Sequence, residues 1–309
     1  MISSRLATVA AIAVVMLVTT EVRAQTCSCA SVPLLGTMEL ATPEGGKWYL
    51  ASTYEYHDLS ELVSGSTEIP DATGRDRTSE ALIIEASKGL GHKFSLSMLL
   101  AGVRHDRTVG GEHSSASGLG DAIVMLKYSP LSISLYSRNA FSFGGGSRIP
   151  VGKDDVSSNG VVLAEDMQPS TGAFGGILWA YVARALNESA SARLYASASY
   201  VTNGENDREY QFGDEFTASA GASFQTQSPW GYNAELLYRQ TSRDQRSSVT
   251  IPNTGGEWLD FIPSVQYHLN ESMALRLSAK IPVSRDLNDQ LQFTTKFAAR
   301  LTFSYVFGN

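Results

Sequence analysis

Two cysteines in 309 residues, Cys27 and Cys29 in "CSCAS", are too few for a disulfide framework. Past the first 25 residues no apolar run approaches the roughly 18 that a membrane-spanning helix needs. Nor does any stretch of ordinary helix length repeat its apolar residues every three or four positions, which excludes a helical bundle in water or in lipid. Histidine is scarce: His57, His92, His105, His113 and His268 are scattered rather than set at metal-ligand spacing. The 24 Lys and Arg are outnumbered by 31 Asp and Glu, and the net charge of −7 argues against a nucleic-acid partner.

What the chain does carry starts with "MISSRLATVAAIAVVMLVTTEVRAQ", a basic start at Arg5, an apolar run from Leu6 to Val18, and small or short residues at Val22, Arg23 and Ala24. This is the pattern of a secretory signal peptide, with cleavage expected after Ala24. Nothing before Cys27 or Cys29 forms a lipid-attachment signal. Removal of residues 1–24 leaves a net charge of −8 on 285 residues.

The rest alternates. "ASARLYASASYV" sets Ala192, Leu194, Ala196, Ala198 and Tyr200 against Arg193, Tyr195, Ser197 and Ser199. "EFTASAGASFQ", "MALRLSAKI" and the terminal "KFAARLTFSYVFGN" do the same, and a strict period of two means strands with one apolar and one polar face. About twelve are expected: 47–56, 78–88, 93–104, 120–129, 132–143, 173–186, 191–202, 213–226, 231–241, 257–268, 273–283 and 291–307. Tight turns such as "KGLGHK", "YSPLS", "LNESA", "TQSPWG" and "HLNES" alternate with long polar connections such as "HDRTVGGEHSSASG" and "GGSRIPVGKDDVSSNGVVLAEDMQPST". That combination predicts an all-β, transmembrane, antiparallel up-and-down barrel of about 12 strands in the outer membrane of a Gram-negative bacterium. Residues 25–46 would form a periplasmic segment or plug, and 47–309 the barrel.

A soluble sandwich or lipocalin-like barrel alternates as well, but fills its interior with bulky branched side chains. Here Arg and Lys stand in mid-strand on the polar face. The other face is rich in Ala, Leu and aromatics, with Trp48, Tyr54, Tyr128, Trp179, Tyr200, Phe224, Tyr238, Tyr267 and Tyr305 placed where an aromatic girdle would lie.

"GLGDAIVMLKYSP", "YVTNGENDREYQFGDEFTASAGASFQ" and "SMALRLSAKIPVSRDLNDQLQFTTKFAARLTFSYVF" resemble segments of a family of outer-membrane transporters associated with the meta-pathway of phenol degradation. The resemblance runs from about residue 45 to the end. It implies passive movement of small solutes, including hydrophobic or aromatic ones, and assigns no ligand-binding position. Membrane lipid, lipopolysaccharide and the barrel assembly machinery are the expected partners, and no cofactor is implied.

With the apolar face toward lipid, the lumen receives Glu55, Glu85, Asp121, Lys127, Arg138, Arg184, Arg193, Glu215, Glu235, Arg239, Asp260, Arg276, Lys280, Lys296 and Arg300. Two readings stay open: a salt-bridged filling of a narrow barrel, or a basic stripe that selects anions. Segments 147–171 and 31–46 both suit a constriction or plug. Cys27 and Cys29 could face one soft metal ion, but two ligands alone make a weak site. A hydrolase is the rival class, since "RHDR" and "GEHSSAS" put His113, Asp106, Ser114 and Ser115 close in sequence; a triad needs more defined geometry than that. A barrel that serves as a surface scaffold without conducting is the other rival. "GSRIPVGKDD" is not a phosphate loop, because five residues separate Gly146 from Gly152 and Asp154 follows Lys153.

Overall fold

The computed structural model describes residues 45–308 except Thr73, His92, Leu135 and Tyr136. The signal sequence, Cys27, Cys29 and nearly all of the 31–46 segment lie outside the described residues. Twelve antiparallel strands close into a barrel: β1 Trp48–Asp58, β2 Asp76–Gly91, β3 Phe94–Val109, β4 Glu112–Leu131, β5 Asn139–Ile149 and β6 Gly175–Ala185 form one half. β7 Ala192–Asn203, β8 Glu215–Gln225, β9 Trp230–Thr241, β10 Gly256–His268, β11 Met273–Leu287 and β12 Phe297–Phe307 form the other. Each strand pairs with its chain neighbours, and β12 returns to β1. Such closure is the solution available to sheet in lipid, where an unpaired backbone group finds no water.

The closing seam runs from Trp48 opposite Phe307 to Asp58 opposite Phe297. On the outside Trp48 and Phe307 stack 6.4 Å apart. On the inside Glu55 lies opposite Arg300, whose Nη2 donates to Glu55 Oε1 at 3.0 Å, and His57 Nε2 lies 2.8 Å from the same oxygen. The terminal strand is thus held by both of its faces.

Several elements depart from the sequence expectation. "HDRTVGGEHSSASG" is not a loop: β3 and β4 continue through it as one ladder and turn at Gly110 and Gly111, both with positive φ. The strand expected at 132–143 begins at Asn139, so Arg138 sits in the short connection, exposed, 3.2 Å from Glu188, and not in the lumen. The strand expected at 291–307 breaks in two. Gln292–Thr294 pairs with Glu61–Ser64 among the loops, and Lys296, exposed before β12 begins, does not reach the lumen either. Trp179 points inward and is buried, and Arg184 points outward, each the reverse of its expected side. A single-residue parity shift along β6 accounts for both.

The interior is divided. Ile83, Leu99, Ala101, Val103, Ile123, Met125, Ile177, Trp179 and Val201 form a buried apolar cluster inside the barrel along β2, β3, β4, β6 and β7. The strands behind this cluster are apolar on both faces, as "LII" at 82–84 and "IVML" at 123–126 already show. Close approach is needed here: a Cβ on Gly144 or Gly146 of β5 would stand 2.5 or 2.3 Å from the carbonyl oxygens of Leu126 and Val124 on β4. Outside, Leu82, Ile84, Leu178, Leu277 and Phe303 are exposed. Ring pairs such as Phe94 with Tyr128 and Trp230 with Tyr267, both 4.8 Å apart, mark the girdle at the short-turn end.

Replacing Glu55 by Ala removes the buried carboxylate that joins His57 and the half-buried Arg300 across the seam and is expected to cost about 1.5–3 kcal/mol. The measurement is the urea midpoint of reversible unfolding in lipid micelles, where Glu55→Gln should lose clearly less.

Candidate functional site: a half-filled lumen under a closed mouth

Opposite the apolar cluster, many of the inward residues of β7 to β12 are small hydroxyl-bearing side chains, and they line a cavity of about 430 Å³. Ser197 and Ser219 bond across strands at 2.9 Å, and Ser199, Thr217, Ser264, Ser278 and Thr302 extend the hydroxyl wall. From β6 and β7 an aromatic ladder borders this wall: Trp179 stacks on Tyr181 at 6.1 Å, and Tyr181 meets Tyr195 at 6.3 Å. The Tyr195 hydroxyl lies 2.6 Å from Glu235 Oε2 and 2.9 Å from Asn233 Oδ1.

The inward charges are mostly tied down. Arg239 Nη1 is 3.6 Å from Glu215 Oε2, and its guanidinium lies 4.1 Å over the Trp258 ring. Lys280 Nζ is 3.8 Å from Asp260 Oδ2. Arg276 donates from Nε and Nη2 to Gln266 Oε1 at 3.0 and 2.8 Å. Lys127, almost fully buried, holds its ammonium 4.9 Å over Trp179. Glu85, also buried, accepts from Ser87 at 3.1 Å. Arg193 stands at the short-turn rim of the cavity and donates to the Ala190 carbonyl at 2.9 Å. Glu55, Glu85, Lys127, Arg193, Arg239, Arg276, Lys280 and Arg300 therefore face inward as expected, whereas Arg138 and Lys296 do not.

At the end that carries the long loops the barrel is closed by the connection between β5 and β6, residues 150–174. Its single 3₁₀ turn, Glu165–Met167, is pressed into the mouth with Met167 wholly buried. Asp166 meets Arg77 Nη1 of β2 at 2.7 Å and Arg107 Nη1 of β3 at 3.8 Å. Glu165 is paired with Arg208, from the connection after β7, and at 2.9 Å with Arg246, from the connection after β9. Further along, Thr171 Oγ1 donates to Asp121 Oδ2 of β4 at 2.6 Å, and Ser170 bonds the other oxygen of that carboxylate. Alternation could not place these partners, because they lie 43 to 89 residues from the loop acids they hold. The visible signal was the acidic "AEDM" in the longest loop.

Burial lifts the Glu165 carboxyl above the usual range against the pull of Arg208 and Arg246. Beside it, burial pushes Asp244 up to about 6, although it accepts from the Tyr210 hydroxyl at 2.5 Å and the Gly213 N–H at 2.8 Å. Burial and that carboxylate raise the Tyr210 phenol in turn.

The hydrolase residues do not assemble. His113 is exposed on the β3–β4 hairpin 3.5 Å from Asp106, and Ser114 Oγ donates to the Arg107 carbonyl rather than toward the imidazole. Among the described residues no group of three His, Cys, Asp or Glu could hold a metal ion.

The sequence matches the family described as "Putative MetA-pathway of phenol degradation" over residues 74–293. The chain belongs to that family. Among solved structures, an outer-membrane channel from Pseudomonas putida F1 is 12% identical, aligns over 86% of this chain and 97% of its own, and has a TM-score of 0.70. The transport unit of the autotransporter AIDA-I from Escherichia coli follows at 8% identity, 91% and 95% coverage and a TM-score of 0.49. The CymD monoaromatic hydrocarbon channel stands at 10%, 86% and 90%, and 0.44. No curated protein matches by sequence. Likeness to the Pseudomonas barrel extends to the fold, so this family member is an outer-membrane β-barrel whose apolar band meets lipid.

Because Asp244 takes up a proton more readily in the folded loops than in a free chain, the loop assembly should gain stability as pH falls from 7 to 5. Hydrogen exchange of residues 206–213 and 244–254, corrected for intrinsic rates, is expected to slow over that window. Asp244→Asn should flatten the response.

Proposed function

We propose that this protein is a passive channel for small solutes across the outer membrane, held closed at its outer mouth in this structure. The observation that carries the reading is the cavity itself. A scaffold has no need to leave about 430 Å³ of hydroxyl-lined space beside a lumen half that is already densely filled. Ring faces from Trp179, Tyr181 and Tyr195 along that space offer planar, partly apolar contact. This supports passage of aromatic as well as hydrophilic solutes and agrees with the family's description.

The inward charges that border the cavity, Arg193, Arg239, Arg276 and Arg300 against Glu215 and Glu235, are the proposed selectivity elements, with a bias toward anions. Export through a signal peptide at residues 1–24, a periplasmic segment at 25–46, insertion by the barrel assembly machinery and contact with lipopolysaccharide belong to the same reading. The closed mouth is the one observation that favours a barrel that does not conduct.

Reconstituted protein is expected to give discrete conductance in planar bilayers and solute-dependent swelling of liposomes. Arg276→Glu should lower the anion-to-cation permeability ratio on the order of fivefold. A correctly folded barrel that passes no current and no solute, with the mouth loop in place or shortened, would sink the channel reading in favour of a scaffold.

A further inference from the structure

The outer mouth holds an arrangement that neither selectivity in the lumen nor barrel closure requires. Four guanidinium groups, of Arg77, Arg107, Arg208 and Arg246, come from four separate pieces of chain and converge on the neighbouring carboxylates of Glu165 and Asp166. One more acid, Asp154, lies 3.9 Å from Arg208. So four fixed cations face the carboxylates of Glu165, Asp166 and Asp154, with Asp244 beside them, and the two central acids belong to a connection rather than to the barrel wall.

The two ends of that connection are held by different means. Ser170 and Thr171 are bonded to Asp121, and the Asn206 Nδ2 donates to the Thr171 carbonyl at 3.1 Å. Gln168 bonds Val156 N–H at 2.9 Å and the Leu163 carbonyl at 2.9 Å, which keeps the loop folded on itself. The acidic tip is held by its ion pairs, by the Arg77 Nη2 bond to the Asp166 carbonyl and by burial of Met167. The cage is also reached from outside: the side chains of Arg107, Arg208 and Arg246 are 27%, 26% and 56% exposed even with the tip in place. Arginine forks match carboxylate oxygens in geometry as well as charge.

We propose that this arginine cage is a binding site for small dicarboxylates at the extracellular mouth, and that Glu165 and Asp166 fill it as an internal stand-in which a solute dianion displaces. The purpose of the site rests on the channel reading. Because the tethered acids compete at high effective concentration, the wild-type barrel binds a free dianion weakly, and removing the two charges releases the site. Displacement of the tip would at once unseat Met167, so the solute that binds is the one that opens the way to the cavity.

The test is equilibrium dialysis of radiolabelled succinate against the folded full-length protein in detergent, at constant ionic strength, with propionate as the single-charge control. The double variant E165Q/D166N is expected to bind succinate at least about tenfold more tightly than wild type, and more tightly than propionate. Adding R208Q/R246Q should abolish the gain. Heat-dependent gel mobility verifies that each barrel is folded, and E165Q alone, with a smaller gain, serves if the double variant does not fold. Equal binding by wild type and the folded acid-to-amide variants overturns the proposal, as does a gain that survives loss of Arg208 and Arg246. Binding is read without transport: a barrel that takes up succinate but never conducts overturns the channel reading alone, and one that conducts but binds no succinate overturns the cage alone.

Discussion

In hydrocarbon, a backbone N–H that misses its acceptor cannot fall back on water, so every strand of the wall must have a neighbour on both sides. The twelve-strand ring meets this only because its last strand returns to its first, with Asp58 to Trp48 matched residue by residue against Phe297 to Phe307. Alternation of apolar and polar side chains follows from that ring, since each strand has lipid on one side and lumen on the other. The inward charges follow next: in a narrow barrel they meet, and Glu55, His57 and Arg300 settle into one hydrogen-bonded group at the seam.

The wall was therefore legible in the sequence, and the reasons it was legible also mark where reading failed. Arg276, Ser278 and Lys280 against Leu275, Leu277 and Ile281 can be sorted by eye, because one face sees lipid and the other does not. "GGILWAYVARA" cannot, since small and aromatic residues suit either side; inside the barrel Trp179 stacks on Tyr181 of its own strand and lies under the Lys127 ammonium. Arg138 and Lys296 obeyed the parity of a strand that stops short of them. The mouth was hidden for a different reason. Its ion pairs join residues whose separation in the chain carries no period.

The two halves of the lumen do different physical work. The apolar cluster makes one side of the barrel a dry core like that of a soluble protein, with β5 drawn close to β4 through Gly144 and Gly146. The open space is displaced toward β7 to β12, so the strand number overstates the width of the passage. Whatever crosses travels along hydroxyls and tyrosine faces on one flank rather than down the axis.

The long hairpin of β3 and β4 passes a bulge near Ala101 and then pairs regularly to its tip. These strands have 16 and 20 residues, whereas about 9–11 tilted residues span the hydrocarbon. At about 3.3 Å per residue the surplus carries paired backbone on the order of 15–20 Å, measured along the strands, beyond the apolar band. A ribbon of that kind, tipped by Gly110 and Gly111 and flanked by the exposed Arg104 and His113, keeps its shape where a loop would not.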